Sequence, residues 1–474
     1  MLLALLFTAT ASLASLADAG ADDAIDAGPE PTLHLAAPLP APVPVPPSPV
    51  DAGEEAPSAL SLHGAAEVDL GLFPTGFPEN GFDVMTTLHP VIGFGVGDDF
   101  GIELGPTFRL RVFDQPSENR PSDIGGFLRG ADWDELSDYG QILQSLRIAK
   151  ETSVFHVRLG PARKKTLGLG HLLWRYNDQA NPDYHPASAT AVLRAGPIRA
   201  ELFASDILGA RLFAGEVAWD IGGTFSSDAT VKDRYVLALE LVHDANLSAR
   251  PFRPDKSVAA FTLPSVTLLH LDASAVLVRN AALRWMLMVG TGARDSSPAA
   301  DLGFLVGMTL DANVKEIGFS TRLELRKQAG GFRHGFFGPM YELQRFVDIG
   351  YNNQPSIGAA RLPDGLSGFA ELRVGIGTRI SFDAAAEYFF WNRLDLDGGV
   401  SLALLGDWFF LTARTTILGI AQAPRFAFNA GLRWRLFPSF YVLGEGGTLF
   451  FPQPDGTLIR GLAFSGGVGV DFER

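Results

Sequence analysis

The sequence of 474 residues contains no cysteine, and its basic residues are 31 arginines but only 7 lysines. Without thiols the chain cannot form a disulfide, a Cys-ligated zinc or iron–sulfur centre, a thiol-enzyme site or a lipid anchor on cysteine. The formal net charge of −15 argues against general binding to nucleic acid. Beyond residue 60 the longest stretch without a charged side chain has 15 residues, 257–271, which is too short for a transmembrane helix.

The first sixty residues have the composition of export and tether segments. Residues 1–19 join an apolar stretch to the small-residue sequence Ala17-Asp18-Ala19, which predicts a secretory signal peptide. Ten prolines follow between Pro29 and Pro57, a density that excludes helix and favours extended chain. We therefore expect residues 20–62 to be a disordered, Pro/Ala-rich periplasmic linker. Such a linker is either a plain spacer or a contact segment for the cell wall or a periplasmic partner.

Residues 63–474 alternate between apolar and polar side chains with a period of two. In residues 425–437, Leu432 and Trp434 fall on one face while Arg433 and Arg435 fall on the other. This is the pattern of a strand with one apolar and one polar face. The same alternation recurs in residues 102–112, 317–326, 369–376 and 379–390.

The lengths of the segments and of their connections favour a transmembrane barrel over a soluble sandwich. Many segments reach 10–13 residues and carry aromatic residues at their ends, as tilted strands that cross a bilayer do. Tight turns, such as residues 97–99, 150–152 and 377–378, alternate with longer connections. Those longer connections are predicted at residues 114–138, 161–186, 328–367 and 392–399. The pattern predicts an all-β, antiparallel up-and-down barrel of about 18 strands, with 16–20 allowed, and both chain ends on the short-turn side.

Residues 65–472 resemble the Gram-negative outer-membrane β-barrel proteins, and loosely the porins among them. The resemblance is one of pattern, and its final strand, residues 463–472, is similar to the C-terminal insertion signal of that class. Here Phe472 is followed by Glu473 and Arg474, whereas such signals commonly end in an aromatic residue. The resemblance implies a cell outer-membrane location, contact with lipid, and insertion by the barrel-assembly machinery.

If the chain forms such a barrel, its polar faces line the lumen. The predicted pore-lining residues are Arg109, Arg111, Arg147, Arg158, Arg322, Glu324, Arg326, Glu371, Arg373, Arg379, Asp383, Glu387, Arg433 and Arg435. Unpaired charge is too costly to bury in a dry interior, so water fills the lumen or the charges pair across strands. The first alternative predicts a channel whose arginines attract anions, and the second predicts an Arg–Glu lattice that stiffens the wall.

Two loops contain further candidate residues. Residues 161–186 either fold inward as a constriction lined by Arg163, Lys164, Lys165, His171 and Arg175, or form a surface loop, and the sequence favours the surface loop. The acidic residues Asp132, Asp134, Glu135 and Asp138 either bind Ca²⁺ or form an exposed, solvated segment, and the exposed segment is the expectation.

The function expected from these features is passive passage of small polar solutes, with anions preferred, through the outer membrane. Two alternatives stay open: a plugged structural or adhesive barrel, and a barrel enzyme acting on lipid or envelope substrates. The histidines are scattered and form no H-E-x-x-H or comparable cluster. We therefore expect no catalytic residue, metal site or cofactor.

Overall fold

The computed structural model describes most of the chain from Leu60 onward. The described residues are 60–74, 82–114, 127–181, 184–209, 211–226, 228, 230–245, 265–295, 301–345, 357, 363–405, 408–422, 424–452 and 458–473. The predicted signal peptide and residues 20–59 of the predicted linker lie outside them. The first strand begins at Leu60.

The long alternating segments form strands as the sequence predicts. In the first half of the chain the strands are β1 (Leu60–Pro74), β2 (Phe82–Val96), β3 (Phe100–Leu104), β4 (Phe108–Asp114), β5 (Leu143–Ile148), β6 (Phe155–Gly160), β7 (Ser188–Ala195), β8 (Ile198–Ala204), β9 (Leu212–Asp220) and β10 (Tyr235–Asp244). In the second half they are β11 (Val266–Arg279), β12 (Leu283–Arg294), β13 (Leu302–Val314), β14 (Ile317–Gln328), β15 (Gly365–Ile376), β16 (Ile380–Phe389), β17 (Arg393–Leu404), β18 (Phe409–Ile420), β19 (Arg425–Phe437), β20 (Phe440–Pro452) and β21 (Leu458–Glu473).

These strands pair antiparallel with their neighbours in sequence and close into one barrel. Closure is the pairing of β1 with β21, in a register that runs from His63 opposite Glu473 to Leu72 opposite Phe464. Gly467 sits in this seam, where a Cβ atom would collide with the backbone of Val68, so only glycine lets the two strands approach. Every described strand except β4 pairs with a strand on both sides; β4 pairs with β2 on one side, and its other side bonds the backbone of residues 127 and 129.

The barrel has 20 strands, two more than the predicted 18 and at the upper end of the allowed range. β3 and β4 both pair with β2 and are two parts of one interrupted strand. Residues 198–220 contain two short strands, β8 and β9. Residues 393–399, predicted as part of a loop, belong to β17, because their acidic side chains face inward and pair with arginines.

Most connections on one side of the barrel are shorter than those on the other, and both described chain ends lie on the short-turn side, as predicted. Three connections depart from this order: residues 221–234 on the short-turn side form a 14-residue connection between β9 and β10, and residues 390–392 and 421–424 on the long-loop side are only three and four residues long. The non-strand elements are short: the 3-10 helices Gly130–Asp132 and Leu136–Ile142 and the α-helices Ile221–Phe225 and Tyr341–Gln344. Across the described residues, no helix has the length and apolar character required to span a membrane.

The outer face of the barrel carries large apolar side chains that are exposed. They include Val68, Leu70, Leu202, Val217, Leu239, Leu241, Leu269, Leu271, Leu287, Val289, Phe304, Val306, Phe382, Phe426, Phe428, Trp434, Phe464, Val468, Val470 and Phe472. A continuous apolar surface of this extent is not stable against water and is the surface that a bilayer covers. The polar side chains of the same strands therefore face the lumen.

Candidate functional site: the lumen and its inner loops

The predicted wall residues face the lumen, but most of the wall arginines lie against carboxylates. Arg109 pairs with Asp132, Arg111 with Asp83, Arg322 and Arg326 with Glu324, Arg326 also with Glu387, Arg373 with Glu371, and both Arg433 and Arg435 with Asp471. Arg379 lies exposed in the tight turn between β15 and β16. This arrangement has the ion pairing of the lattice alternative, and it reduces the positive field that a solute in the lumen would meet.

Two wall arginines differ from the paired ones in their surroundings. Arg147 on β5 and Arg158 on β6 stand directly opposite each other on the inner face. Within the described part of the chain no carboxylate lies within ion-pair distance of either guanidinium. Arg158 is also exposed, so its charge faces solvent at the short-turn end of the lumen.

The loop between β6 and β7 enters the barrel. We call residues 161–187 the first inner loop; residues 182 and 183 are outside the described chain. Its neck is closed by reciprocal contacts, since the Ala162 N–H donates to Asp178 Oδ2 at 2.9 Å and the Asp178 N–H donates to the Ala162 carbonyl at 3.0 Å. The surface-loop placement favoured by the sequence is therefore wrong. Four of the five predicted constriction residues, Lys164, Lys165, His171 and Arg175, contact the wall, and Arg163 stays exposed.

Arg175 is the strongest attachment of this loop to the wall. Its guanidinium donates to Glu371 at 2.9 Å, Asp383 at 2.5 Å and Asp397 at 2.6 Å, which come from three neighbouring strands. Only 3% of the residue is exposed. Burial by itself would lower the pKa of the Arg175 guanidinium, but the carboxylates of Glu371, Asp397 and Asp383 together raise it. The arginine is therefore permanently charged and holds three wall acids to one point of the loop.

Further contacts fix the rest of the first inner loop. Lys164 donates to Asp383 at 3.0 Å, and Lys165 donates to Glu201. The backbone N–H groups of Leu172 and Leu173 donate to the buried Glu240 carboxylate at 3.3 and 3.1 Å. Side chains and backbone of one loop thus satisfy acids on the opposing wall, which would otherwise be buried without partners.

A second segment enters from the connection between β14 and β15, and we call residues 329–345 the second inner loop. It runs parallel to the first: the Trp174 N–H donates to the Phe337 carbonyl at 3.1 Å, and the Phe337 N–H donates to the Leu172 carbonyl at 3.0 Å. The Tyr176 hydroxyl donates to Glu342 at 2.6 Å. The two loops therefore form one unit inside the barrel.

This unit is bound to β10 through a buried polar network. The Tyr341 hydroxyl donates to Asp244 Oδ2 at 2.6 Å, and Arg345 donates to Asp244 Oδ1 at 3.0 Å and to Glu342 Oε2 at 3.2 Å. Burial lowers the pKa of Arg345, but Asp244 and Glu342 raise it by more, so the net direction is upward. Arg345 thereby compensates two acids that have no access to solvent.

Around these polar contacts the loops also build an apolar core inside the barrel. It consists of Ala162, Leu167, Leu172, Leu173, Tyr176, Phe203, Leu212, Ala214, Val242, Val266, Leu268, Phe332, Phe336, Phe337, Tyr341 and Ile357. Burial of apolar surface contributes roughly 25 cal/mol per Å², so side chains of this number hold the loops as firmly as an ordinary domain core. The inner loops thus occupy the side of the lumen formed by β8–β18, where a cavity lined by residues such as Trp174, Glu387 and Asp397 remains between loop and wall.

The opposite side of the lumen, formed by β19–β21 and β1–β6, keeps polar groups in contact with solvent. Asn429 and Glu445 face inward and are exposed. Asp69, on the neighbouring strand β1, is partly exposed and lies close enough to Glu445 for their charges to interact. Neither carboxylate has a described cation within ion-pair distance. We call this region the solvated side.

In the acidic segment at residues 132–138, Asp134 and Glu135 are exposed as expected, whereas Asp132 and Asp138 are buried, which corrects the expectation for these two residues. Asp132 is fully buried between Arg109 and Arg129; burial raises its pKa, but the two arginines lower it by more. Asp138 accepts the Glu135 N–H at 2.9 Å in the cap of the second 3-10 helix. Burial raises the pKa of the Asp138 carboxyl to about 7. These two acids hold this segment of the connection between β4 and β5 in place.

Sequence reasoning missed three residues that the fold brings together with His171. His270 and Asp272 come from β11 and His334 from the second inner loop, and the ring centroids of His171 and His270 are 4.9 Å apart. These residues are separated by up to 163 positions and have no motif spacing. The one local signal is that His270 and Asp272 share the inward face of a strand.

Structural comparison finds outer-membrane barrels. OccK8 (OprE) of Pseudomonas aeruginosa aligns at 11% identity and a TM-score of 0.37, over 88% of this chain and 98% of that protein. The outer membrane protein opdK of P. aeruginosa gives 9% identity and 0.35, over 88% and 99%. The ferric enterobactin receptor PfeA of the same organism gives 10% and 0.35, over 88% and 82%. No family model matches the sequence, and the search of curated proteins finds no match either.

Proposed function

We propose that the protein is an outer-membrane channel for passive passage of small polar solutes along the solvated side of its lumen. The observation that carries the proposal is the difference between the two sides. Inner loops fill the lumen against β8–β18, whereas inward-facing Asn429, Glu445 and Arg158 remain exposed on the other side. Exposed polar side chains inside a membrane barrel are those that water and solutes can reach.

The setting proposed for this channel is the outer membrane of a Gram-negative cell. The exposed apolar face supports lipid contact. We further propose insertion by the barrel-assembly machinery, removal of a signal peptide, and a periplasmic Pro-rich linker with cell-wall or periplasmic contacts. The chain acts in this proposal as a passage and not as an enzyme.

The ion preference proposed here is weak. Strong anion selectivity would require wall arginines without partners, and most of the described ones lie against carboxylates. On the solvated side, Arg147 and Arg158 near the short-turn end and Asp69 and Glu445 deeper in the lumen have no ion-pair partner in the described chain. Glu67 and Glu103 pair there only with histidines, so groups of both signs lie along the passage and the proposed preference for either sign is weak.

Reversal potentials across a KCl gradient test which groups line the path. Arg147→Ala/Arg158→Ala is expected to shift the preference toward cations, and Asp69→Asn/Glu445→Gln toward anions, because each change removes uncompensated charge from the passage. Lys315→Ala, in a tight turn outside the lumen, is the control and should leave the potential unchanged. Shifts no larger than that of the control for both pairs would exclude conduction along the solvated side.

A further inference from the structure

Three histidines and one carboxylate meet where both inner loops touch β11. His171 comes from the first inner loop, His270 and Asp272 from β11, and His334 from the second inner loop. The His270 ring lies 4.9 Å from that of His171 and 5.3 Å from that of His334, measured between centroids. All four side chains are buried, and the two loops are joined to the wall at this point.

Within the part of the chain that the structure describes, two of these rings have no hydrogen-bond partner. His270 is 0% exposed and His334 is 1% exposed, yet neither ring has a nitrogen that makes a hydrogen bond. His270 Nδ1 lies 3.0 Å from Asp272 Oδ2, but without hydrogen-bond geometry. Buried polar atoms are almost always paired, so four unsatisfied ring nitrogens side by side require an explanation.

We infer that this cluster binds one divalent transition-metal ion, with His171, His270 and Asp272 as ligands and His334 placed to complete the set. One ligand atom from each of the first three residues lies within 4.8 Å of the others, so a single ion can contact all three with small side-chain movements. Imidazole nitrogens together with one carboxylate suit Zn²⁺ and its neighbours Ni²⁺ and Cu²⁺. Mg²⁺ and Ca²⁺ prefer oxygen ligands.

The surroundings of His171 match those of a metal ligand. Its Nε2 lies 3.1 Å from Glu324 Oε1, and Glu324 is in turn held by Arg326 at 2.7 Å. A histidine that donates one ring N–H to a carboxylate presents the other nitrogen to a metal in a fixed orientation. That other nitrogen, Nδ1, shares a hydrogen bond of 2.5 Å with Asp272 Oδ1, so an ion bound here would take the place of the proton between these two atoms.

Glycines on the neighbouring strands make the space for the cluster. A Cβ atom at Gly290 would lie 2.5 Å from His270 Cε1 and 2.6 Å from Asp272 Oδ1, and one at Gly292 would lie 2.7 Å from His270 Cδ2. At Gly303 it would lie 3.1 Å from His334 Nε2. A larger residue at Gly290 would displace the candidate ligands, whereas at Gly292 and Gly303 the nearest atoms belong to the Phe332 ring, 2.3 and 2.1 Å from the Cβ position.

An ion bound here would join both inner loops to β11. In the setting of the proposed channel, and resting on that proposal, the ion would hold the loop unit in place and keep the filled side closed. The binding site itself does not depend on whether the barrel conducts.

The test is stoichiometric binding to tag-free protein refolded in detergent with Zn²⁺ and then dialysed. We expect about one ion per folded barrel, and with Co²⁺ in its place a visible absorption band of a low-coordinate His/carboxylate site. His171→Gln and His270→Gln should each weaken binding at least tenfold. His63→Gln, which alters an inward-facing histidine paired with Glu103 at 2.9 Å, is the matched control and should bind as the parent does.

Absence of bound ion in a folded parent barrel would overturn the inference, and so would unchanged binding by both cluster variants. The parent measurement does not depend on whether a variant folds. Conductance is recorded separately, with and without chelator. Binding without any effect of the chelator on conductance supports the site and removes only its role in holding the loops.

Discussion

Arg175→Ala is expected to raise the mean single-channel conductance several-fold. The substitution removes the cation that Glu371, Asp383 and Asp397 share. Each acid keeps one other basic partner, respectively Arg373, Lys164 and Arg414, so the cluster loses one positive charge. Removing one partner from a buried charge cluster costs about 3–5 kcal/mol. That cost is relieved if the first inner loop moves away and water reaches the acids, so the loop should leave the wall for a much larger share of the time.

The matched control for this variant comes from the same loop. Arg163 is exposed and has no carboxylate partner in the described chain, so Arg163→Ala should conduct like the parent. Arg175→Lys is informative as well, because one ammonium cannot reproduce the fork that reaches three acids, and an intermediate conductance is expected. Unchanged conductance of a folded Arg175→Ala barrel would mean that this contact does not hold the loop.

Arg345→Met is expected to destabilise the second inner loop by about 3–5 kcal/mol, the range for breaking a buried ion pair. Asp244 and Glu342 would lose their shared cation while the tyrosine hydroxyls remain as weaker partners. Cleavage of the folded barrel by chymotrypsin within residues 329–345 should become at least tenfold faster. The readout is cleavage after Phe332, Phe336, Phe337 and Tyr341, which both proteins contain, because Arg345→Met itself adds a weak chymotrypsin site.

A double variant separates lost charge compensation from lost packing. Asp244→Asn together with Arg345→Met removes one of the two acids that lose their cation, so it should be cleaved more slowly than Arg345→Met alone. Equal cleavage of both variants would show that Arg345 acts through packing alone. Parent-like cleavage of Arg345→Met would contradict the role assigned to the Asp244 contact.

The wall of the barrel could be predicted from the sequence because alternation is a local property. β14, β16 and β19 were predicted to within two residues at each end, since lipid imposes apolar side chains at every second position. β17 has the same alternation, but its Asp and Gly residues suggested a loop. Those acids bind Arg175 and Arg414, partners that no local pattern contains.

The contents of the barrel could not be predicted in the same way. His171 and Asp272 are 101 positions apart, and Arg175 and Asp397 are 222 positions apart. Their meeting depends on which strands face each other across the closed barrel. Residues 161–186 are rich in basic and aromatic side chains, and this composition is compatible with a surface loop and with an inner loop alike. The sequence contains one hint: the inward positions of β8–β17 carry more acidic than basic residues, so some of the basic groups that pair with these acids must come from elsewhere in the chain.

In the proposed channel the inner loops, and not the wall, limit the passage of solutes. Residues 163–177 can be replaced by two glycines, because Ala162 and Asp178 already meet through a 3.0 Å hydrogen bond at the loop neck. Single-channel conductance of this variant and of the parent, both refolded into planar bilayers, tests the claim most directly. We predict a small, steady conductance for the parent and one several-fold larger for the variant. Equal conductance of the two folded barrels would contradict the claim.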